Sequence, residues 1–195
     1  SCVLNSLFLL PQFSLHLLPL FLLANLPMRA RAGTKLLGMR STGAKFKAKR
    51  PLVIAGARLH GAAALGDLTA FAEAFDLPVA APQRRFHVFD SRHPNCAGRL
   101  PNRAPAELVS LMKTADLILV LGERLAPSMT QNYTLPLAPK PEQPLIHVYP
   151  DPEEVGRVYE TTLGLGCDPH EFIKAMMAAG AGDLPPARKD WVKQL

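Results

Sequence analysis

The sequence predicts an α/β fold, a Rossmann-like doubly wound parallel sheet of five or six strands with helices on both faces. Two observations carry this prediction. Short apolar runs, typical of strands buried on both sides, alternate with stretches whose apolar residues recur at helical spacing. The helical stretches are about 10–15 residues long, which is the length expected of right-handed βαβ crossovers.

Five strands and four helices are predicted individually. The clearest strand is 116–122, a continuous apolar run that ends in glycine. The stretch 82–105 contains Pro94, Gly98 and Pro101 and cannot be regular structure throughout. The predicted strands are 52–56, 78–81, 116–122, 144–149 and 161–165. The predicted helices are 61–75, 106–115, 151–159 and 169–179.

The net charge of +6 is distributed unevenly. Residues 1–50 contain eight basic and no acidic side chains, whereas the rest of the chain has 14 basic and 16 acidic ones. A protein that binds a phosphate backbone needs a basic face on its folded domain. Because the predicted domain is slightly acidic, we expect no nucleic-acid partner.

Cysteine and histidine spacing gives no sign of a disulfide framework or a metal site. The three cysteines, Cys2, Cys96 and Cys167, are widely spaced and form no C-x-x-C pair. The six histidines include no pair at the spacing that places two ligands on one helix face. No metal-binding or catalytic residue is therefore predicted, and the free thiols suit a cytoplasmic protein.

Residues 1–49 differ in character from the rest and are expected to be a poorly ordered segment or linker outside the domain. Residues 3–26 are apolar enough to consider a membrane anchor. Pro11 and Pro19 interrupt this stretch, and Gln12 and His16 would place polar groups in the hydrocarbon, so the anchor is the less favoured alternative. The basic residues follow the apolar stretch, which is the wrong order for a signal peptide.

A ligand crevice is expected where two of the predicted strands end. In doubly wound sheets, ligands bind beyond the carboxyl ends of the strands, at the point where strand order reverses. Gly56 and Gly122 each end a predicted strand, and Arg58 and Arg124 follow two residues later, where they can pair with a diphosphate. The alternative is that the glycines only form turns and the arginines face water.

Acid–base candidates are few. Asp90, Ser91 and His93 are close in sequence, but the members of a catalytic triad usually come from separate loops. The acidic run 151–154 begins a predicted helix, where carboxylates stabilise the positive end of the helix dipole.

Five ordered strings identify a family resemblance: RPLVIAGAR, AEAFDLPVAAP, FDSRHPNCAGRL, ADLILVLGERL and PLIHVYPDPEEVGRVY. Together they resemble the central domain of thiamine-diphosphate enzymes of the acetolactate synthase type. The resemblance implies a domain over 50–180 and a tail, 181–195, that leads to a C-terminal domain. It also implies a Rossmann-like sheet that in some members holds FAD or ADP.

The resemblance places cofactor-binding positions at Gly56, Gly98, Gly122 and Arg124, and the strand-end argument adds Arg58 to the expected cofactor-binding residues. Two positions depart from the family pattern. Tyr149 stands where the family often has an Asp, and Cys167-Asp168 replaces a Gly-Asp pair. The first change loses an acceptor for a ribose or ribityl hydroxyl, and the second adds a side chain near the backbone. Both argue against FAD and leave ADP or an empty crevice as the alternatives.

The resemblance also implies which parts of the enzyme would lie elsewhere. In the family, an N-terminal pyrimidine-binding domain supplies a glutamate that activates thiamine, and a Gly-Asp-Gly motif in a C-terminal domain holds Mg²⁺ and the diphosphate. The chain has no Gly-Asp-Gly, and its first fifty residues contain no glutamate. Thiamine diphosphate and Mg²⁺ are therefore expected to bind to those other domains of an intact enzyme.

The expected function is that of a central scaffold, with nucleotide contacts, in a carboligase or decarboxylase that acts on 2-oxoacids. This piece would be inactive alone, and the intact enzyme would be a homo-oligomer. A stand-alone ADP-, FAD- or NAD-binding module and a membrane-anchored protein are the alternatives.

Overall fold

The computed structural model describes residues 47–100 and 103–195. The described residues form six strands: β1 (Pro51–Ala55), β2 (Val79–Pro82), β3 (Cys96–Leu100), β4 (Leu117–Leu121), β5 (Leu145–Tyr149) and β6 (Leu163–Gly166). They also form four α-helices: α1 (Ala62–Ala74), α2 (Ala106–Thr114), α3 (Pro169–Ala179) and α4 (Ala187–Val192). Short 3₁₀ turns lie at Phe86–Val88 and Pro127–Met129.

The strands form one parallel sheet in the order β3-β2-β1-β4-β5-β6. The chain moves outward from β1 to β3 and then returns to the other side of β1 with β4. Strand order therefore reverses between β1 and β4, which confirms the Rossmann-like doubly wound fold. The pairing of these two central strands covers their whole length, from Pro51 opposite Leu117 to Ala55 opposite Leu121.

Each face of the sheet is covered by its own set of helices. Alternate strand residues point to opposite faces, so Val53 packs with α1 and α3 whereas Leu52 packs with α2 and α4. Phe71 and Phe172 anchor the first face, and Met112 is fully buried in the second. Helices on both faces explain why strands such as β1 and β4 are apolar at every position rather than at every second one.

The structure adds one strand to the predicted elements and contradicts one predicted helix. The stretch 82–105 contains strand β3, which no apolar alternation indicates and which pairs with β2 across a register shift. The helix predicted at 151–159 is wrong, because this segment forms a series of turns. The Asp151 carboxylate accepts from the backbone N–H of Glu153, and Gly156 has a φ of 74°, so the chain turns instead of continuing as a helix.

The segment expected as a tail contains helix α4, which was not among the predicted helices. Arg188 and Trp191 are buried beneath it, and both donate hydrogen bonds to the chain around the start of β1. Burial lowers the pKa of Arg188 to about 10. This side chain therefore remains charged at neutral pH and holds the carbonyl oxygens of Ala48 and Phe75 at 2.7 and 2.8 Å.

The apolar stretch 3–26 and the rest of residues 1–46 lie outside the described residues. Among 47–100 and 103–195, none of the helices combines the length and apolar character needed to cross a bilayer.

Candidate functional site

The carboxyl ends of the central strands lie at the same level and define the candidate site. Gly56, which follows β1, donates to the carbonyl of Leu121 at 2.8 Å, and Gly122, which follows β4, donates to Val148 at 2.8 Å. This register places Gly56, Gly122 and the last residue of β5, Tyr149, in one row across three neighbouring strands. The row includes the point where strand order reverses, as the sequence predicts.

The two glycines bring the turns after β1 and β4 into direct contact. A Cβ atom on Gly56 would lie 2.4 Å from the Cβ of Glu123, and a Cβ on Gly122 would lie 2.7 Å from that of Arg58. Gly122 also has a φ of 69°, which L-residues rarely adopt. The space beside both glycines is therefore filled by the opposite turn, and close packing of the protein with itself accounts for them.

The two predicted arginines converge on one tyrosine. Arg58 donates from Nε to the phenol oxygen of Tyr149 at 3.1 Å, and Arg124 donates from its own Nε at 3.0 Å. Both guanidinium groups also lie near the tyrosine ring, 5.5 and 5.6 Å from its centroid. Tyr149 is buried, while both arginines are exposed residues. We call these three residues the arginine–tyrosine cluster.

Glu154 connects the cluster to the turn after β5. Its carboxylate lies 3.7 Å from Nε of Arg124 and accepts a hydrogen bond from Arg157 at 2.8 Å. The hydrogen bond to Tyr149, followed by the charge of Glu154, raises the pKa of Arg124. The acidic run 151–154 thus neutralises arginines rather than stabilising a helix dipole, which corrects the interpretation made from the sequence.

His147 supports the site from inside the sheet. Its Nε2 lies 2.8 Å from the backbone oxygen of Glu123, which can only accept, so Nε2 carries the proton. Burial lowers the pKa of His147, and this side chain is therefore neutral at pH 7. A neutral imidazole here positions the turn that carries Arg124 without adding charge to the crevice.

Four of the five predicted site residues come together, and one does not. Gly98 lies within edge strand β3, opposite Ala80, with β2 between it and the Gly56 turn. Tyr149 and Glu154 were not among the predicted site residues. The position of Tyr149 at the end of a predicted strand was a usable signal, but its contacts depend on how side chains from three strands meet.

The described residues do not fit a magnesium-bound diphosphate. Across 47–100 and 103–195, no group of three or more His, Cys, Asp or Glu side chains is placed to hold a metal ion. Burial also raises the pKa of Cys167 to about 12, so its thiol is no nucleophile at neutral pH. No step of thiamine chemistry is assigned to these residues.

A cavity of about 530 Å³ lies at the opposite, amino-terminal edge of the sheet, between the end of α1 and the segment that joins α3 to α4. Its lining includes Glu73, Asp76 and Asp183, with Lys189 as a cation. An acidic lining is unsuited to a phosphate-bearing ligand. The strand-end crevice, with its two arginines, remains the candidate site.

A parallel sheet whose strand order reverses between β1 and β4, with helices on both faces, defines a Rossmann-like doubly wound domain. The family described as "Thiamine pyrophosphate enzyme, central domain" matches residues 46–176. The chain therefore belongs to this family of thiamine-diphosphate enzyme central domains, as the five sequence strings indicate.

Individual relatives include two kinds of enzyme. A sulfoacetaldehyde acetyltransferase of Rhodobacter capsulatus is 30% identical over 154 residues, covering 77% of this chain and 26% of the relative. The mitochondrial acetolactate synthase of Schizosaccharomyces pombe is 28% identical over 158 residues, covering 76% of this chain and 23% of the relative. The chain thus spans about a quarter of the length of these relatives.

Proposed function

We propose that this chain acts as the central scaffold of a longer thiamine-diphosphate enzyme that decarboxylates a 2-oxoacid and passes the product to an acceptor. The observation that carries the proposal is the match to the central-domain family over 46–176. Acetolactate synthase and sulfoacetaldehyde acetyltransferase relatives support carboligation or acyl transfer as the reaction class. Thiamine diphosphate and Mg²⁺ would bind to pyrimidine- and diphosphate-binding domains, within a cytoplasmic homo-oligomer.

The strand-end crevice is proposed to bind an adenine nucleotide such as ADP. Arg58 and Arg124 are held side by side by their Nε atoms, which leaves their terminal Nη groups for a ligand. Paired guanidinium groups suit the oxygens of a diphosphate. Tyr149 already accepts from both arginines and Cys167 is buried, so these two positions favour ADP over FAD.

Calorimetry on the full chain tests the two parts of this proposal separately. We expect ADP to bind, FAD and NAD to bind more weakly, and thiamine diphosphate with Mg²⁺ to give no heat. We also expect no turnover of pyruvate by the chain alone. Tight thiamine diphosphate binding or measurable turnover would contradict the scaffold role, whereas silence with all three nucleotides would remove only the nucleotide site.

The genomic DNA on both sides of the coding segment gives an independent test. We expect open reading frames that encode the pyrimidine- and diphosphate-binding domains, in frame with this chain. Stop codons that closely flank the segment on both sides would favour the alternative of a stand-alone nucleotide-binding module. The arginine–tyrosine cluster is the observation that keeps that second function in consideration.

A further inference from the structure

An unusual concentration of arginine follows strand β2. Residues 83–103 contain five arginines and one acidic residue, Asp90. That carboxylate is already bound, because Arg92 contacts it through its backbone N–H and through its guanidinium group. The domain as a whole is slightly acidic, so the positive charge here is a local feature of the surface.

Four of the five arginines in this region differ from the other arginines of the described residues, because their side chains form no hydrogen bond or ion pair there. Six of the ten arginines in the described residues donate side-chain hydrogen bonds: 50, 58, 92, 124, 157 and 188. The side chains of the other four make no hydrogen bond or ion pair with any described residue, and all four residues are exposed: 84, 85, 99 and 103. Of these, Arg99 stacks over the ring of Phe86, 4.1 Å from its centroid.

Edge protection explains only part of this pattern. Arg99 lies on β3, the last strand of the sheet, where a charged side chain discourages pairing with another chain. Arg84 and Arg85 lie beyond the end of β2 and protect no edge. Arg84 also has a φ of 72°, a conformation that glycine adopts without strain. A cationic side chain is thus kept at a position where its backbone is unfavourable.

The place of Arg84 and Arg85 in the sheet indicates a ligand. In dinucleotide-binding domains of strand order 3-2-1-4-5-6, an acidic residue binds a free ribose hydroxyl, or a nearby arginine binds a ribose phosphate. Arg84 and Arg85 follow the tip of β2, the second strand of such a sheet. Ile54 of β1 pairs with Ala80 of β2, which puts Pro82, at the end of β2, level with Gly56, at the end of β1. The end of β2 therefore lies one strand spacing, about 4.8 Å, from the turn that follows β1.

We propose that the nucleotide bound in this crevice carries a phosphate on its ribose, and that Arg84 and Arg85 bind that phosphate. The inference rests on the proposed nucleotide site and specifies its ligand class. The shared chemistry is a ribose phosphoester dianion, which nucleotides carry at the 2′ or the 3′ position. Two guanidinium groups match the charge of this dianion and can each donate hydrogen bonds to its oxygens.

The test compares ligands that differ only in the ribose phosphate. Calorimetry on the full chain with AMP, adenosine 2′,5′-bisphosphate and adenosine 3′,5′-bisphosphate should show one bisphosphate binding at least tenfold tighter than AMP. The preferred isomer identifies the position of the phosphate. Arg84→Gln and Arg85→Gln should each reduce this gain severalfold and leave the affinity for AMP and ADP unchanged.

Arg92→Gln is the matched control, because it removes one positive charge from the same segment at a residue already paired with Asp90. We expect Arg92→Gln to bind the preferred bisphosphate more tightly than AMP by the same factor as the natural chain. If ADP binds but neither bisphosphate surpasses AMP, the inference is overturned and the nucleotide site stands. If no nucleotide binds, both fail. An equal loss in all three variants would overturn the assignment to Arg84 and Arg85 in favour of general charge attraction.

Discussion

The indole Nε1 of Trp191 donates a 2.8 Å hydrogen bond to the carbonyl oxygen of Pro51, 140 positions earlier in the chain. Pro51 is the first residue of the central strand β1, and Trp191 lies in the last described helix. Trp191 is the single tryptophan of the chain and is 3% exposed. Its fluorescence therefore reports directly on whether α4 is docked against the sheet.

Arg188→Met should destabilise the domain by about 2 kcal/mol, because it leaves buried carbonyl oxygens, including those of Ala48 and Phe75, without their donor. Removal of a buried charge offsets part of this loss. Urea unfolding measures the change, and tryptophan emission should move to longer wavelength in the native variant. Lys189→Met, at the exposed neighbouring position, should change neither quantity appreciably, and equal effects in both variants would contradict the role of Arg188.

Gly122→Ala and Gly66→Ala should change stability in opposite directions. At Gly122, a methyl group would lie 2.7 Å from the Cβ of Arg58 on a backbone of positive φ, so we expect a loss of about 2 kcal/mol or more. Gly66 lies exposed within α1 with no atom near the added group, so alanine should add about 0.5–1 kcal/mol. Thermal unfolding of both variants measures the two changes in stability. A change of the same sign in both variants would contradict the prediction.

His147 makes stability depend on pH. Burial lowers its pKa in the folded state below the unfolded value of about 6.5, so the unfolded chain binds more protons between these two values. The stabilisation is therefore complete above about pH 6.5 and is lost as the pH falls through the folded pKa. His147→Gln, which cannot titrate, should lose less stability than the natural chain between pH 7 and pH 5. Parallel stability curves from urea unfolding would exclude this role.

Tyr149→Phe should weaken nucleotide binding with little effect on folding. Without the phenol oxygen, Arg58 and Arg124 must both be ordered by the ligand, at a cost of about 1–2 kcal/mol, or roughly a five- to thirtyfold lower affinity for ADP. Calorimetry measures the affinity, and urea unfolding should show a change below about 1 kcal/mol since both arginines are exposed. Unchanged ADP affinity would show that the cluster does not orient the ligand.

The central elements of the fold could be predicted because each has a strong local pattern. Strands β1 and β4 are buried at all five positions and read as continuous apolar runs. Strand β3 could not be predicted in this way, since its residues, from Cys96 to Leu100, are mostly only partly buried. Its extended form comes from pairing with β2, which brings together residues far apart in sequence.

The candidate site was predicted in outline and not in detail. A general rule about strand ends selects Gly56, Arg58, Gly122 and Arg124, because it needs only the order of strands and helices. The same rule cannot show that both arginines bind Tyr149, or that Glu154 neutralises Arg124. These contacts depend on side-chain directions from three separate strand ends.

The sequence by itself determined the alternation of buried strands and amphipathic helices, and with it the fold class and the family. Only the tertiary structure decided that Gly56 and Gly122 pack against the opposite turn, that one phenol holds two guanidinium groups, and that α4 docks against β1. The physical reason is one of range. Apolar periodicity acts between neighbours in sequence, whereas contacts such as that of Trp191 with Pro51 form only after the sheet has brought distant residues together.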